Sequence, residues 1–153
     1  MKLYLIRHGE PKPKEDDPGR GLTEKGRLDV VTVGHFLEQS SLIIPEIWYS
    51  TKARARQTAE IIAQALGTAE LIEKDGLAPL DPVEPIRAEI INREEDLMLV
   101  GHLPFLVRLA GILLGLPIEK EIFRFRTAEI VGLERDEEGG WHILFTLFPR
   151  LLE

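Results

Sequence analysis

The sequence predicts one α/β domain: a mostly parallel central sheet with helices on both faces and a C-terminal hairpin. Three observations predict it. Short apolar runs alternate with helix-length stretches through the first two thirds of the chain, the pattern that successive βαβ units produce. Two strand-like runs follow, Phe123 to Glu134 and Trp141 to Phe148, joined by a turn-forming stretch from Asp136 to Gly140, which makes the sheet mixed. The length of 153 residues suits a single core, and no repeat or linker divides residues 1–153.

Taken in order, Lys2 to Ile6 reads as a strand that stops on Arg7-His8-Gly9. Pro11 to Gly21 is a loop, because its prolines and glycines interrupt any regular structure. Thr23 is a good N-cap for a helix with Glu24 in its first turn, and Val30, Val33 and Leu37, with Phe36 beside them, form its apolar stripe. Glu46 to Ser50 is the second strand. Lys52 to Leu66 is a helix whose face is Ala55, Ala59, Ile62 and Leu66, stopped by Gly67. Ala69 to Glu73 is a short strand, Lys74 to Pro85 an irregular loop, and Ile86 to Glu94 a helix. Asp96 to Val100 is a buried strand ending on Gly101-His102, and Pro104 to Leu114 is a buried helix with Pro104 in its first turn.

A net charge of −7 argues against a nucleic-acid binder but leaves room for a local cationic pocket. The absence of cysteine removes disulfides, thiolate metal ligands and thiol nucleophiles. No signal-peptide pattern or span-length apolar run is present, so the expectation is a cytoplasmic protein without a membrane partner.

Three strand ends carry polar residues: Arg7-His8-Gly9, Ser50 running on to Arg54, and Gly101-His102. Parallel strands place such ends on one edge, outside which ligands bind. Arg54 lies near a helix N-terminus, a favourable place for an anion, and shares a face with Thr58. His102 precedes a second helix N-terminus. Taken singly, Arg54 is an ordinary solvated residue, Ser50 a strand-end cap and His102 a helix-start residue. Taken together, two arginines and two helix N-termini suit phosphate. Two histidines with no cysteine and no carboxylate cluster beside them are poor evidence for a metal site, whereas histidine is a competent phosphoryl acceptor.

Arg7-His8-Gly9-Glu10, Ser50-x-x-x-Arg54-Ala55-x-Gln57-Thr58 and Gly101-His102-x-Pro104 resemble, in order, the three core motifs of the histidine phosphatase superfamily, the phosphoglycerate mutase-like fold. The short chain, Arg20 and Leu22-Thr23-x-x-Gly26 resemble its SixA-type phosphohistidine phosphatase branch. The resemblance implies that His8 is the nucleophile that becomes phosphorylated. It implies that Arg7, Arg54 and His102 form the phosphate pocket with Arg20 reaching in, and that no metal or organic cofactor is needed. Gly9, Ser50 and Thr127 are further candidates to contact substrate.

The chain departs from the family at Thr51, where proline often follows the serine, and at Gly21, where proline often follows the arginine. Between Gly67 and Ile86 there is no recognisable general-acid motif of the kind phosphomonoesterases carry. Asp81 and Glu84 are the local candidates, and each also reads as a solvated loop charge. A leaving alkoxide needs a proton from an acid. An imidazole, with a pKa of roughly 6.5, leaves with little help. The expected activity is therefore hydrolysis of phosphohistidine on a protein, releasing inorganic phosphate. The alternatives are a small-molecule phosphomonoesterase or mutase of the same fold using Asp81 or Glu84, and a phosphate-binding module without catalysis. A mutase must bind a second phosphate, and the loops offer few spare cations. The binding module predicts damage to Arg7, His8, Arg54 or His102, and all four are present.

Overall fold

Each element forms where its residues favour it, and the computed structural model describes residues 1–67, 69–117 and 124–153. Strand β1 (Lys2–Arg7) buries Leu3, Tyr4, Leu5 and Ile6 in succession, as a strand covered on both faces must. Helix α1 (Glu24–Gln39) starts on Thr23, whose hydroxyl accepts the Gly26 N–H at 2.9 Å and donates to the Glu10 carboxylate at 2.8 Å. Val30, Val33 and Leu37 are buried as the stripe requires, while Phe36 stays partly exposed.

Strand β2 (Glu46–Tyr49) leads into α2 (Ala53–Leu66), which ends on Gly67 at φ 76°, the left-handed conformation that glycine adopts at least cost. Strand β3 (Glu70–Glu73), helix α3 (Glu84–Ile91), strand β4 (Leu97–Gly101) and helix α4 (Phe105–Leu113) follow. Strands β5 (Ile130–Arg135) and β6 (Trp141–Leu147) form the hairpin, and a 3₁₀ turn spans Pro149–Leu152.

Several boundaries shift from the sequence expectation, most by a single residue, and three shifts have a local cause or consequence. Helix α3 starts two residues early, because Pro85 has its φ preset for a helical first turn and lacks only an N–H that would be unpaired there. Pro104 caps α4 from outside rather than lying within it. Strand β5 starts at Ile130, not Phe123. Residues 118–123 lie outside the described residues, and 124–129 form a loop. In that loop Ala128 sits at φ 59°, and the Glu129 carboxylate accepts the Arg126 N–H at 2.6 Å. This local bond competes with a ladder, so Thr127 belongs to the loop and not to a strand.

The sheet order is β3-β2-β4-β1-β5-β6, parallel from β3 to β1 and antiparallel from β1 to β6. Tyr4, Ile6, Met98 and Val100 pack on one face with α1 and α2; Leu3, Leu5, Leu97 and Leu99 pack on the other with α3 and α4. Truncating a fully buried central residue such as Leu99 to alanine costs roughly 2–5 kcal/mol. The register matters most for function. Arg7 pairs with Gly101 and Tyr49 with Val100, so His8, Ser50 and His102 emerge side by side from one sheet edge.

Candidate active site

The turn after β1 is held from several sides. Gly9 donates its N–H to Thr58 Oγ1 at 3.0 Å, and that hydroxyl donates to the Arg54 carbonyl at 2.8 Å. A side chain at Gly9 would start 2.9 Å from the Gly26 carbonyl oxygen, and one at Gly26 would overlap the Glu10 carbonyl. The first turn of α1 therefore backs directly onto the His8 turn. Arg7 is anchored by its Nη1 donating to the Phe125 carbonyl at 2.9 Å. Ala128 N–H approaches the carbonyls of both Arg7 and His8.

His8 is buried, with Nδ1 2.7 Å from the Gly9 carbonyl oxygen. A carbonyl only accepts, so Nδ1 carries the hydrogen and Nε2 keeps its lone pair. Burial pushes the His8 pKa down to about 4; the Gly9 bond opposes this, and Arg54, Arg7 and Arg20 add to the depression. His102 falls to about 3, through burial first and then His8, Arg54, Lys52 and Arg7. Both rings are neutral at physiological pH. Burial, then Arg20 and Arg7, lowers the pKa of Arg54, so the cations crowd one another.

Arg7, His8, Arg20, Arg54 and His102 line one cleft of about 200 Å³ with Pro11, Pro79 and Leu103. Arg20 lies at φ 50°, in a loop tied by the Asp17 carboxylate to the N–H groups of Gly19 and Gly21. Its Nε donates to the Lys12 carbonyl at 3.2 Å. A guanidinium cluster, a neutral imidazole lone pair and two helix starts can bind a tetrahedral anion and attack it.

The other candidate residues, and the remaining histidines, do not line the cleft. Ser50 is buried behind the cleft, its Oγ 2.6 Å from His102 Nε2. Gly9 serves through its backbone. Thr127 lines a separate cleft with Lys25, Arg126 and Phe148. Asp81 turns back to accept the Ala78 N–H at 2.9 Å, and Glu84 pairs with Arg87 at 3.1 Å in the first turn of α3. Neither lines the cleft. Glu10 is engaged by Thr23. His35 is exposed on α1 beside Glu38, and His142 lies 2.7 Å from Asp136 in the hairpin. Among the described residues no cluster of His, Asp and Glu could hold a metal ion, and no helix is long and apolar enough to cross a membrane. Sequence does not single out the roles of Thr58 and the Phe125 carbonyl. Thr58 lies in the Ser50-to-Thr58 motif, whereas Phe125 carries no local signal.

Residues 3–84 match the family model of the histidine phosphatase superfamily, branch 1. The chain belongs to the histidine phosphatase superfamily. It is 39% identical over 112 residues to an uncharacterised protein of Picosynechococcus, covering 68% of this chain and 67% of that one. It is also 39% identical over 72 residues to the probable phosphoglycerate mutase GpmB of Salmonella choleraesuis, covering 44% and 33%. The superfamily fold is shared with the protein histidine phosphatase SixA solved with tungstate, at TM-score 0.88, 22% identity and full coverage of both chains. An Escherichia coli structure described as a putative alpha-ribazole-5'-P phosphatase matches at TM-score 0.78 and 18% identity, covering 97% and 98%.

Proposed function

We propose that this superfamily member is a phosphohistidine phosphatase that works through a phosphorylated His8. His8 Nε2 attacks the phosphorus, the P–N bond of the substrate breaks, and the substrate ring, already protonated on its other nitrogen, leaves as neutral imidazole. Water then attacks the phosphorus of phosphorylated His8, regenerates Nε2 and releases inorganic phosphate. Arg7, Arg20 and Arg54 neutralise the equatorial oxygens as charge spreads over them. The depressed pKa of His8 keeps its lone pair available at neutral pH.

The observation that carries the substrate assignment is the lining of the cleft. Among the described residues it has arginines and histidines but no carboxylate, and Asp81 and Glu84 are engaged elsewhere. A site without a placed acid suits a leaving imidazole and handicaps an alkoxide. The protein is proposed to act in the cytoplasm on a phosphorylated histidine-containing protein and to need no metal. Hydrolysis of a phosphohistidine peptide beside a panel of alkyl phosphates, with and without chelator, tests this. Fast metal-independent turnover of the peptide and slow turnover of the alkyl esters is the expected result. Preference for an alkyl ester would instead assign the protein to the small-molecule phosphatases or mutases.

A further inference from the structure

Behind the cleft Ser50 pairs with His102, a contact to which the proposed phosphoryl transfer gives no part. Ser50 is 1% exposed, and its Oγ lies 2.6 Å from His102 Nε2. The Lys52 N–H donates to the same oxygen at 3.2 Å. Among the described residues the acceptor within reach of the Ser50 hydroxyl hydrogen is the Nε2 lone pair. On the other side of the ring, His102 Nδ1 is buried and meets no hydrogen-bond partner among the described residues. His102 lines the cleft, its ring centroid 5.0 Å from that of His8.

We infer that Ser50, itself held by the Lys52 amide, is a positioning residue that fixes His102 in the tautomer with hydrogen on Nδ1. The inference rests on the proposed phosphoryl transfer, because it gives that hydrogen its use. In this tautomer a neutral His102 offers a donor to an oxygen of the transferring phosphoryl group. In the other tautomer it would turn a lone pair toward an anion and repel it. A ligand oxygen would also satisfy the orphaned buried nitrogen, whose isolation is otherwise costly. Neutrality is what makes the tautomer matter, since an imidazolium would carry both hydrogens whatever Ser50 did.

The test is nitrogen-15 NMR of the uniformly labelled, substrate-free protein at neutral pH, where the ring shifts report which nitrogen bears hydrogen. The chain has four histidines, so the His102 signals are assigned by their loss in His102→Gln. Hydrogen on Nδ1 is expected; hydrogen on Nε2 overturns the inference, and this reading needs no Ser50 variant. In Ser50→Ala the tautomers should mix. The kcat for an aryl phosphate with a good leaving group should fall roughly 10- to 100-fold with KM little changed, a fraction of the usual worth of a donor to transition-state charge. An unchanged tautomer, or a shifted tautomer with unchanged kcat, overturns it. The aryl substrate serves any phosphatase of this fold, so the inference fails or stands independently of the phosphohistidine assignment.

Discussion

His8 and His102 stand with ring centroids 5.0 Å apart, inclined at 53°, although 94 residues separate them in sequence. The pairing of Arg7 with Gly101 across β1 and β4 brings them together. The same pairing buries both rings beneath a cluster of arginines, and the resulting loss of hydration underlies most of the chemistry expected of the site.

Activity should survive into acid. A histidine with the ordinary pKa of about 6.5 would lose its nucleophilic lone pair below that pH. His8, held at about 4, keeps it. The acid limb of kcat/KM for an aryl phosphate should therefore bend near pH 4, as read in a pH–rate profile corrected for unfolding. A bend at 6.5 would mean that His8 is far better solvated than its burial indicates.

The same depression destabilises the fold in acid. Above pH 6.5 both histidines are neutral folded or unfolded and contribute nothing to the pH dependence. As pH falls from 6.5 toward 4 for His8 and toward 3 for His102, the unfolded chain binds protons that the folded protein refuses. Stability is thus lost across that window and levels off below it. The double variant His8→Gln, His102→Gln should show a shallower fall in Tm between pH 6.5 and 4 than the unaltered protein. Parallel curves would assign acid sensitivity to other groups.

Arg54→Ala should separate function from stability. Arg54 shares its cleft with Arg7 and Arg20, and the three repel one another. Removing it should cost roughly 10²- to 10³-fold in kcat/KM through lost stabilisation of the transferring group. Tm should stay level or rise slightly as repulsion is relieved. A Tm loss of more than about 5 °C, which in a domain of this size corresponds to more than about 1 kcal/mol, would make Arg54 structural.

Asp81 and Glu84 should prove dispensable for turnover. Asp81→Asn and Glu84→Gln should leave phosphohistidine hydrolysis unchanged, since one carboxylate holds the Ala78 N–H and the other pairs with Arg87. Asp81→Asn should lower Tm modestly through its turn. If either change costs roughly 10²- to 10⁴-fold on an alkyl phosphate and much less on an aryl one, a general acid is present after all.

The sheet edge was legible because its signals are local. Arg7-His8-Gly9 follows a strand, Thr23 starts a helix, and Gly67 ends one. The supports of the edge were not, because they are long-range. The carbonyl that anchors Arg7 belongs to Phe125, 118 residues away, in a stretch whose apolar and β-branched composition reads as strand. The Glu129–Arg126 bond that interrupts that strand has no sequence pattern. The same composition puts Thr127 in a strand as a candidate for the His8 site, whereas the loop carries it to a neighbouring cleft. Ser50 suggests a substrate contact by its position at a strand end. Its hydroxyl is instead spent on His102, a distinction that only three-dimensional distance reveals.

The central claim is that phosphate passes through His8 Nε2, and rapid-quench labelling tests it most directly. The protein is mixed with a phosphohistidine peptide carrying labelled phosphate and quenched in alkali, which preserves phosphohistidine. It is then digested under alkaline conditions and mapped, with phosphorus-31 NMR distinguishing the two ring nitrogens. Label on the peptide containing His8, on Nε2, appearing and decaying at rates competent for turnover and absent in His8→Ala, is the expected result. Turnover at the full rate with no label on His8, or undiminished turnover by His8→Ala, would contradict it.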